Sequence, residues 1–433
     1  MELIIAETVK YILTALMILY SFQSFLVFRH KEEEETRAIC RGQTVVMVLI
    51  QFLSFMVLYL EERDIQIIVY YLVSQTTILA VIIFYSIVYR NSSRLLVNNM
   101  CLLLTISFIM LTRLSYYRAI RQVLVAIASL IITSTIPYIL MKFSDIRRYY
   151  YFFAIFGIVM FLLVLFFSVA VNGSKLNVNI FGVTFQPSEF VKLTFVISMA
   201  GFLAKSHKLK DVVITGLIAL AHVMLLVLAK DLGSALIFFV VYIVLIYVAT
   251  GRFNYVLAGS AAGLMAAIAG YKLFSHVRVR VAAFTDPFGT IDNAGYQIAQ
   301  SLFAIGTGGF FGMGIGQGAP KKIPVVVSDF IFSAIAEEMG VIFAICIILV
   351  CLSCFIMFMN ISIKFKDSFY KLVGVGIAVI YIFQVFLTIG GVTKFIPLTG
   401  VTLPLISYGG NSIMVTLIMF AIIQGLYVNR KKS

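Results

Sequence analysis

The stretch Val325–Gly340, "VVVSDFIFSAIAEEMG", opens a long apolar run that continues over Val341–Met359, "VIFAICIILVCLSCFIMFM", as the second half of one segment. The second half is apolar for long enough to cross a hydrocarbon core of roughly 30 Å as a helix. Read as one apolar segment, the pair carries a carboxylate at its start, Asp329, and two more inside, Glu337 and Glu338. Charge at membrane depth is costly, so its default reading is functional. Continuous apolar runs of this kind recur along the 433-residue chain, which is 62% hydrophobic and only 12% charged. Transmembrane strands would alternate instead of running on, so the expected fold is an all-α polytopic membrane bundle.

Apolar windows predict thirteen spans, centred near Leu16, Phe52, Thr77, Thr105, Ala128, Phe161, Ser198, Leu220, Val241, Met265, Ile345, Ile380 and Val415. The first residues carry acid and no basic n-region, so the first run reads as a span and not as a cleaved leader. With the basic C-terminus taken as cytoplasmic, most other loop cations also fall inside, at Arg29–Arg41, Arg90/Arg94, Lys142–Arg148, Lys205–Lys210, Arg252 and Lys364–Lys371. An odd count then leaves the N-terminus outside, with Glu61–Asp64, Asn172–Glu189, Lys230-Asp231 and a long outer loop over residues 275–328. The connection holding Arg113, Arg118 and Arg121 breaks this pattern. The net charge of +14 serves orientation, and no nucleic-acid-binding motif accompanies it. The five cysteines lie in or beside apolar runs without partner ligands, which suits buried thiols better than a metal or a disulfide.

Polar chemistry concentrates on the outer side. Arg278 and Arg280 precede a turn, Gln297 and Gln300 stand three apart, and a glycine-rich run follows; such groups suit phosphates and sugar hydroxyls, though snorkelling arginines and plain tight turns are the simpler reading. Ser328-Asp329 resembles a helix N-cap, while a carboxylate at the bilayer boundary could also take a proton from an incoming hydroxyl. Were the helix to include Asp329, Glu337 would lie about 80° and Glu338 about 180° around it, so both glutamates could not line one site with it. Glu189 and Lys192 have the spacing of an ion pair, with substrate contact as the alternative, and Lys230-Asp231 reads as a turn and cap. Lys394 leads into "IPLTGVTLPLISYGGNS" (Ile396–Ser412), which holds Ser407, and its prolines and glycines predict a broken entry to the last span.

"QPSEFVK", "DLGSA", "DPFG…GYQIAQSLFAIGTGGFFGMGIG", "SDFIFSAIAEEMG" and "IPLTGVTLPLISYGGNS" together resemble the SEDS family of bacterial cell-shape, elongation, division and sporulation proteins, in family order. The resemblance spans roughly residues 95–428, which implies a core over residues 91–433 and leaves residues 1–90 as additional N-terminal transmembrane helices. It implies a peptidoglycan glycosyltransferase of the bacterial cytoplasmic membrane that polymerises lipid II, working with a class B penicillin-binding protein. Asp329 matches the family's essential aspartate. Where the family has Pro-Glu-x-His-Thr-Asp, this chain has Pro324-Val-Val-Val-Ser-Asp329, and it contains no tryptophan at all.

On that resemblance Asp329 is the expected base. Arg278, Arg280, Lys322 and Lys394 would face diphosphates, with Gln297, Gln300, Glu189, Lys192 and Ser407 as further substrate contacts and Glu337, Glu338 and Asp231 in supporting roles. The leaving diphosphate needs cationic side chains or a divalent ion, Mg or Mn. Two rivals use the same residues. A lipid II flippase would scramble substrate without making polymer, and a noncatalytic scaffold would bind the penicillin-binding protein without turnover.

Overall fold

In a computed structural model, residues 2–30, 32–142, 146–168, 177–180, 183–205 and 209–430 are described. Residues 172–176 and 181–182 of the expected outer segment Asn172–Glu189 lie outside them. Seventeen α-helices are present among the described residues: α1 (Glu2–Arg29), α2 (Glu33–Glu62), α3 (Ile65–Val88), α4 (Arg94–Leu114), α5 (Tyr116–Thr133), α6 (Ile136–Lys142), α7 (Tyr150–Phe167), α8 (Pro187–Lys205), α9 (Leu209–Leu228), α10 (Leu232–Thr250), α11 (Phe253–Leu273), α12 (Ser275–Thr285), α13 (Tyr296–Gly308), α14 (Ile331–Met339), α15 (Val341–Ile363), α16 (Ser368–Val392) and α17 (Gly410–Arg430). Among the described residues thirteen helical segments are long and apolar enough to cross a bilayer, and each holds one of the expected centres. The chain is a multi-pass membrane protein of the all-α class. Its described strands form one small antiparallel hairpin, β1 (Val178–Ile180) with β2 (Val183–Phe185), Val178 opposite Phe185.

The chain divides into two compact units. The first comprises residues 1–132, 280–356 and 385–414. At its centre is α4, whose whole bilayer-crossing window is buried in protein. Its neighbours α1, α2 and α15 are joined to it by amide and hydroxyl side chains. Asn98 Nδ2 donates to Cys40 O at 2.8 Å, and Asn99 Oδ1 accepts from Tyr20 Oη and Ser24 Oγ, each at 3.2 Å. Asn99 Nδ2 reaches Ser353 Oγ of α15 at 3.2 Å. Polar groups this deep are tolerable because each finds a partner there.

The second unit comprises residues 133–279, 357–384 and 415–433. Here α7, α8, α9 and α10 pack around Phe161, Phe195, Phe238 and the buried ring of His222. Pro187 opens α8, where its missing N–H is no loss. One turn later Lys192 is buried, with Nζ 2.9 Å from Glu189 Oε1 and 3.0 Å from Gln384 Oε1. Asp231 caps α10, its Oδ1 accepting from Ser234 N–H at 3.0 Å. All five cysteines are free and buried.

Two expectations change. The segment 275–328, expected as a long outer loop, holds α12, α13 and a short 3-10 turn at Pro320–Lys322. The carboxylates Glu337 and Glu338 are also not inside a span. The apolar segment breaks at Gly340, whose φ of +90° is open to glycine and strained for other residues, so α14 is a separate short helix ahead of α15. Backbone from the glycine-rich run fills the break: Met313 and Gly314 N–H groups donate to the Glu337 and Glu338 carbonyls, and Val341 and Ile342 N–H groups donate to Gly309 and Phe310. The interruption is tolerated because those exchanged bonds satisfy the freed backbone groups.

Candidate functional site

Asp329 stands at the end of a non-helical approach, half-buried and outside α14. The expected cap is absent: α14 starts at Ile331, its capping position is Phe330, and no side chain caps it. The helical-wheel relation between Asp329 and the glutamates therefore does not apply. The approach turns at Val325, whose φ of +55° is strained for a β-branched residue, and whose carbonyl accepts from the N–H groups of both Ser328 (3.1 Å) and Asp329 (3.2 Å). Strain of this kind persists only where surroundings impose it.

Those surroundings come from the segment ahead of α17. Tyr408 N–H donates to Val327 O at 2.8 Å, and Ser407 Oγ donates to Ser328 O at 2.5 Å while accepting from Leu403 N–H. Ser407, expected to contact substrate, is buried and spends its hydroxyl holding the peptide that carries Asp329. Behind it, buried Gln122 of α5 donates to Ser407 O at 3.0 Å and to Ser107 Oγ at 3.2 Å, and accepts from Gly409 N–H. Nothing in the sequence pattern singles out Gln122.

Arg280 is the cation of this site. Its Nη1 donates to the carbonyls of Leu398 (3.4 Å) and Thr399 (3.2 Å), and Gly400 beside them lies against Asp329 Oδ2. Burial raises the pKa of Asp329 above its ordinary value, opposed by a bond from Ser328 and by the Arg280 charge. The result is a half-buried carboxylate with a raised pKa near a cation, suited to accepting a proton.

The other expected residues scatter. Gln297 and Gln300 lie half-buried on the first turns of α13, Lys394 is half-buried and Lys322 exposed. Arg278 is exposed and donates to Lys272 O at 3.2 Å; it belongs to the second unit, as do the Glu189–Lys192 pair and Asp231. Glu338 and Glu337 take structural partners in the first unit. Glu338 Oε1 is 2.9 Å from Arg113 Nε, and Arg113 Nη2 also reaches Gly316 O and Gly318 O at 2.9 and 3.2 Å. Glu337 Oε1 accepts from Ala319 N–H at 2.9 Å. The partner of Glu338 was visible in the sequence only as an anomaly, a cation in a connection where orientation predicts none. Among the described residues no three His, Cys, Asp or Glu side chains are grouped to hold a metal.

The family model for FtsW, RodA and SpoVE, described as "Cell cycle protein", matches residues 93–432. The chain is 36% identical over 268 residues to the peptidoglycan glycosyltransferase RodA of Mycobacterium tuberculosis (strain ATCC 25618 / H37Rv), covering 58% of this chain and 57% of that protein. It is 34% identical over 267 residues to stage V sporulation protein E of Bacillus subtilis (strain 168), covering 60% of this chain and 72% of that one. The matched part thus spans little more than half the length of the RodA relative. Among solved structures, a chain from a peptidoglycan synthase complex superposes with a TM-score of 0.66 at 24% identity, over 78% of this chain and 98% of that one. Rod shape determining protein RodA of Thermus thermophilus gives 0.59 at 22%, over 79% and 98%. At these identities the structural likeness establishes the fold.

Proposed function

The chain belongs to the FtsW/RodA/SpoVE family, and we propose that it is a peptidoglycan glycosyltransferase that polymerises lipid II at the outer face of the cytoplasmic membrane. Asp329 takes the proton from the 4-hydroxyl of the acceptor GlcNAc. The oxygen attacks the anomeric carbon of the donor with inversion, the bond to the diphosphate breaks, and its electron pair leaves on undecaprenyl diphosphate. Arg280 supplies positive charge beside the reacting groups, where a preorganised cation acts most strongly. The observation that carries this reading is the placement of Asp329: released from any capping duty, half-buried, and held by Ser407 and Tyr408 beside Arg280.

In the same reading residues 1–90 are a module added to a core that begins near residue 91, the N-terminus is outside, and the C-terminus is cytoplasmic. A class B penicillin-binding protein crosslinks the product strand. The test is polymerisation of purified lipid II by the full chain with such a partner. Wild-type protein should give glycan strands and Asp329→Asn none, with partner binding retained. Strands of normal length from the variant, or lipid II scrambling without polymer from the wild type, would overturn the assignment.

A further inference from the structure

Three arginines break the charge pattern between α4 and α5, and only Arg113 is absorbed by a carboxylate. Arg118 and Arg121 lie exposed on the first turns of α5, and neither makes a hydrogen bond or ion pair with the described residues. Each guanidinium instead sits over a tyrosine ring. Arg118 Cζ is 5.8 Å from the centre of Tyr408, and Arg121 Cζ is 4.4 Å from that of Tyr117. Such contacts orient the planar group and leave its N–H edge to bind something else.

Their position is fixed by what lies next to them. Gln122 follows Arg118 at i,i+4, on the same face of α5, and is bonded to Ser407 O and Gly409 N–H. Tyr408, under Arg118, bonds through its N–H to Val327 O, two residues before Asp329. Arg118 is therefore linked to the Asp329 peptide through one ring and one hydrogen bond, and Arg121 is one turn along. Two like charges at i,i+3 repel each other unless an anion lies between them. They are also on the opposite end of α5 from the loops where cations serve orientation.

We propose that Arg118 and Arg121 form a subsite, at the rim of the Asp329 site, for the diphosphate of a polyprenyl-linked sugar. The subsite rests on the glycosyltransferase reading, which requires two such substrates at once and so two diphosphates to be held. Arg280, with bonds to the Leu398 and Thr399 carbonyls, supplies one cationic pole. The α5 pair supplies a second, and arginine matches phosphate oxygens bidentately. The phosphates of bulk anionic phospholipids share this chemistry, and the experiment separates the two sources.

Full-length protein is reconstituted in phosphatidylcholine vesicles, with and without phosphatidylglycerol, and binding of undecaprenyl diphosphate and undecaprenol is measured. The double variant Arg118→Ala/Arg121→Ala should bind the diphosphate at least about tenfold more weakly in both vesicle types, the size expected for losing charge-assisted bonds. Undecaprenol binding should not change, and the double lysine variant should recover part of the loss. In the lipid II assay KM should rise by more than kcat falls. Unchanged diphosphate binding, or a defect confined to vesicles containing phosphatidylglycerol, overturns the subsite. Should the double variant fail to fold, the single Arg118→Gln and Arg121→Gln variants carry the same comparison. Arginine-dependent diphosphate binding by a wild-type protein that makes no polymer would refute the glycosyltransferase reading and leave the subsite standing.

Discussion

Asp329 and Glu338 are nine positions apart, one just ahead of α14 and the other in its last turn, and the protein treats them in opposite ways. Glu338 is fully buried, bonded to Arg113, and tied through its own backbone to the glycine-rich run. Asp329 is half-buried; its peptide is clamped while its carboxylate faces a cation that is itself bonded elsewhere. One end of the helix satisfies its charge and is locked. The other end keeps a charge in reserve. Across one short helix the division separates a residue bonded into the structure from the one that the proposed reaction would use, so each should respond to a different measurement.

The largest effect belongs to Asp329. Asp329→Asn should reduce lipid II polymerisation at least about a hundredfold, the usual share of a general base. Its effect on stability should have the other sign. Burial raises the folded-state pKa of this carboxylate, so the native state holds its proton more tightly than the unfolded chain. Stability then falls as pH rises from the unfolded value through the folded one, and the cost is fully present above both. Removing the ionisable group should leave the thermal midpoint at neutral pH equal to or above that of wild type. For the same reason the polymerisation rate should fall on acidification with a midpoint above that of an exposed aspartate, read from a rate–pH profile. A clear loss of stability in Asp329→Asn would erase the contrast.

Arg113→Ala should do the reverse. It leaves Glu338 buried and uncompensated, which costs about 3–5 kcal/mol and should appear as a large fall in the thermal midpoint. The double variant Arg113→Met/Glu338→Leu should recover most of it, because neither charge then remains. Gly340→Ala is next, at about 1–3 kcal/mol, since the added methyl meets the backbone of Phe310 and Gly312 at a φ strained for alanine. The smallest effect on stability is Ser407→Ala, about 1 kcal/mol for a lost hydrogen bond. Its informative readout is kcat at saturating lipid II, which should fall if the hydroxyl positions Asp329.

Much of this was legible in the chain. The thirteen spans follow from apolar run length, and Asp329 and Arg280 stand out as charges beside a bilayer boundary. The break at Gly340 was not legible, because a lone glycine in an apolar run is ordinary in a membrane helix. What makes it a break is backbone supplied by Gly309–Gly314, about thirty positions away in the sequence. Ser407 was found for its motif, but its bonds to Leu403 and Ser328 were not legible, since sequence cannot show which acceptor a hydroxyl faces. Gln122 escaped notice because one amide near a helix start has no pattern. Arg113, Arg118 and Arg121 did leave a trace, as cations in the wrong place, and that trace led both to the partner of Glu338 and to the α5 pair.

The burial of α4 bears on how the protein is made. Asn98, Asn99 and Arg113 would sit poorly in lipid, yet α4 meets protein on every side. Since α1, α2 and α3 leave the ribosome first, they can stand in the bilayer as a prepared berth whose Tyr20, Ser24, Cys40 and Gln43 receive the α4 asparagines on arrival. The order of the helices along the chain thus places the partners of the α4 asparagines ahead of α4 itself.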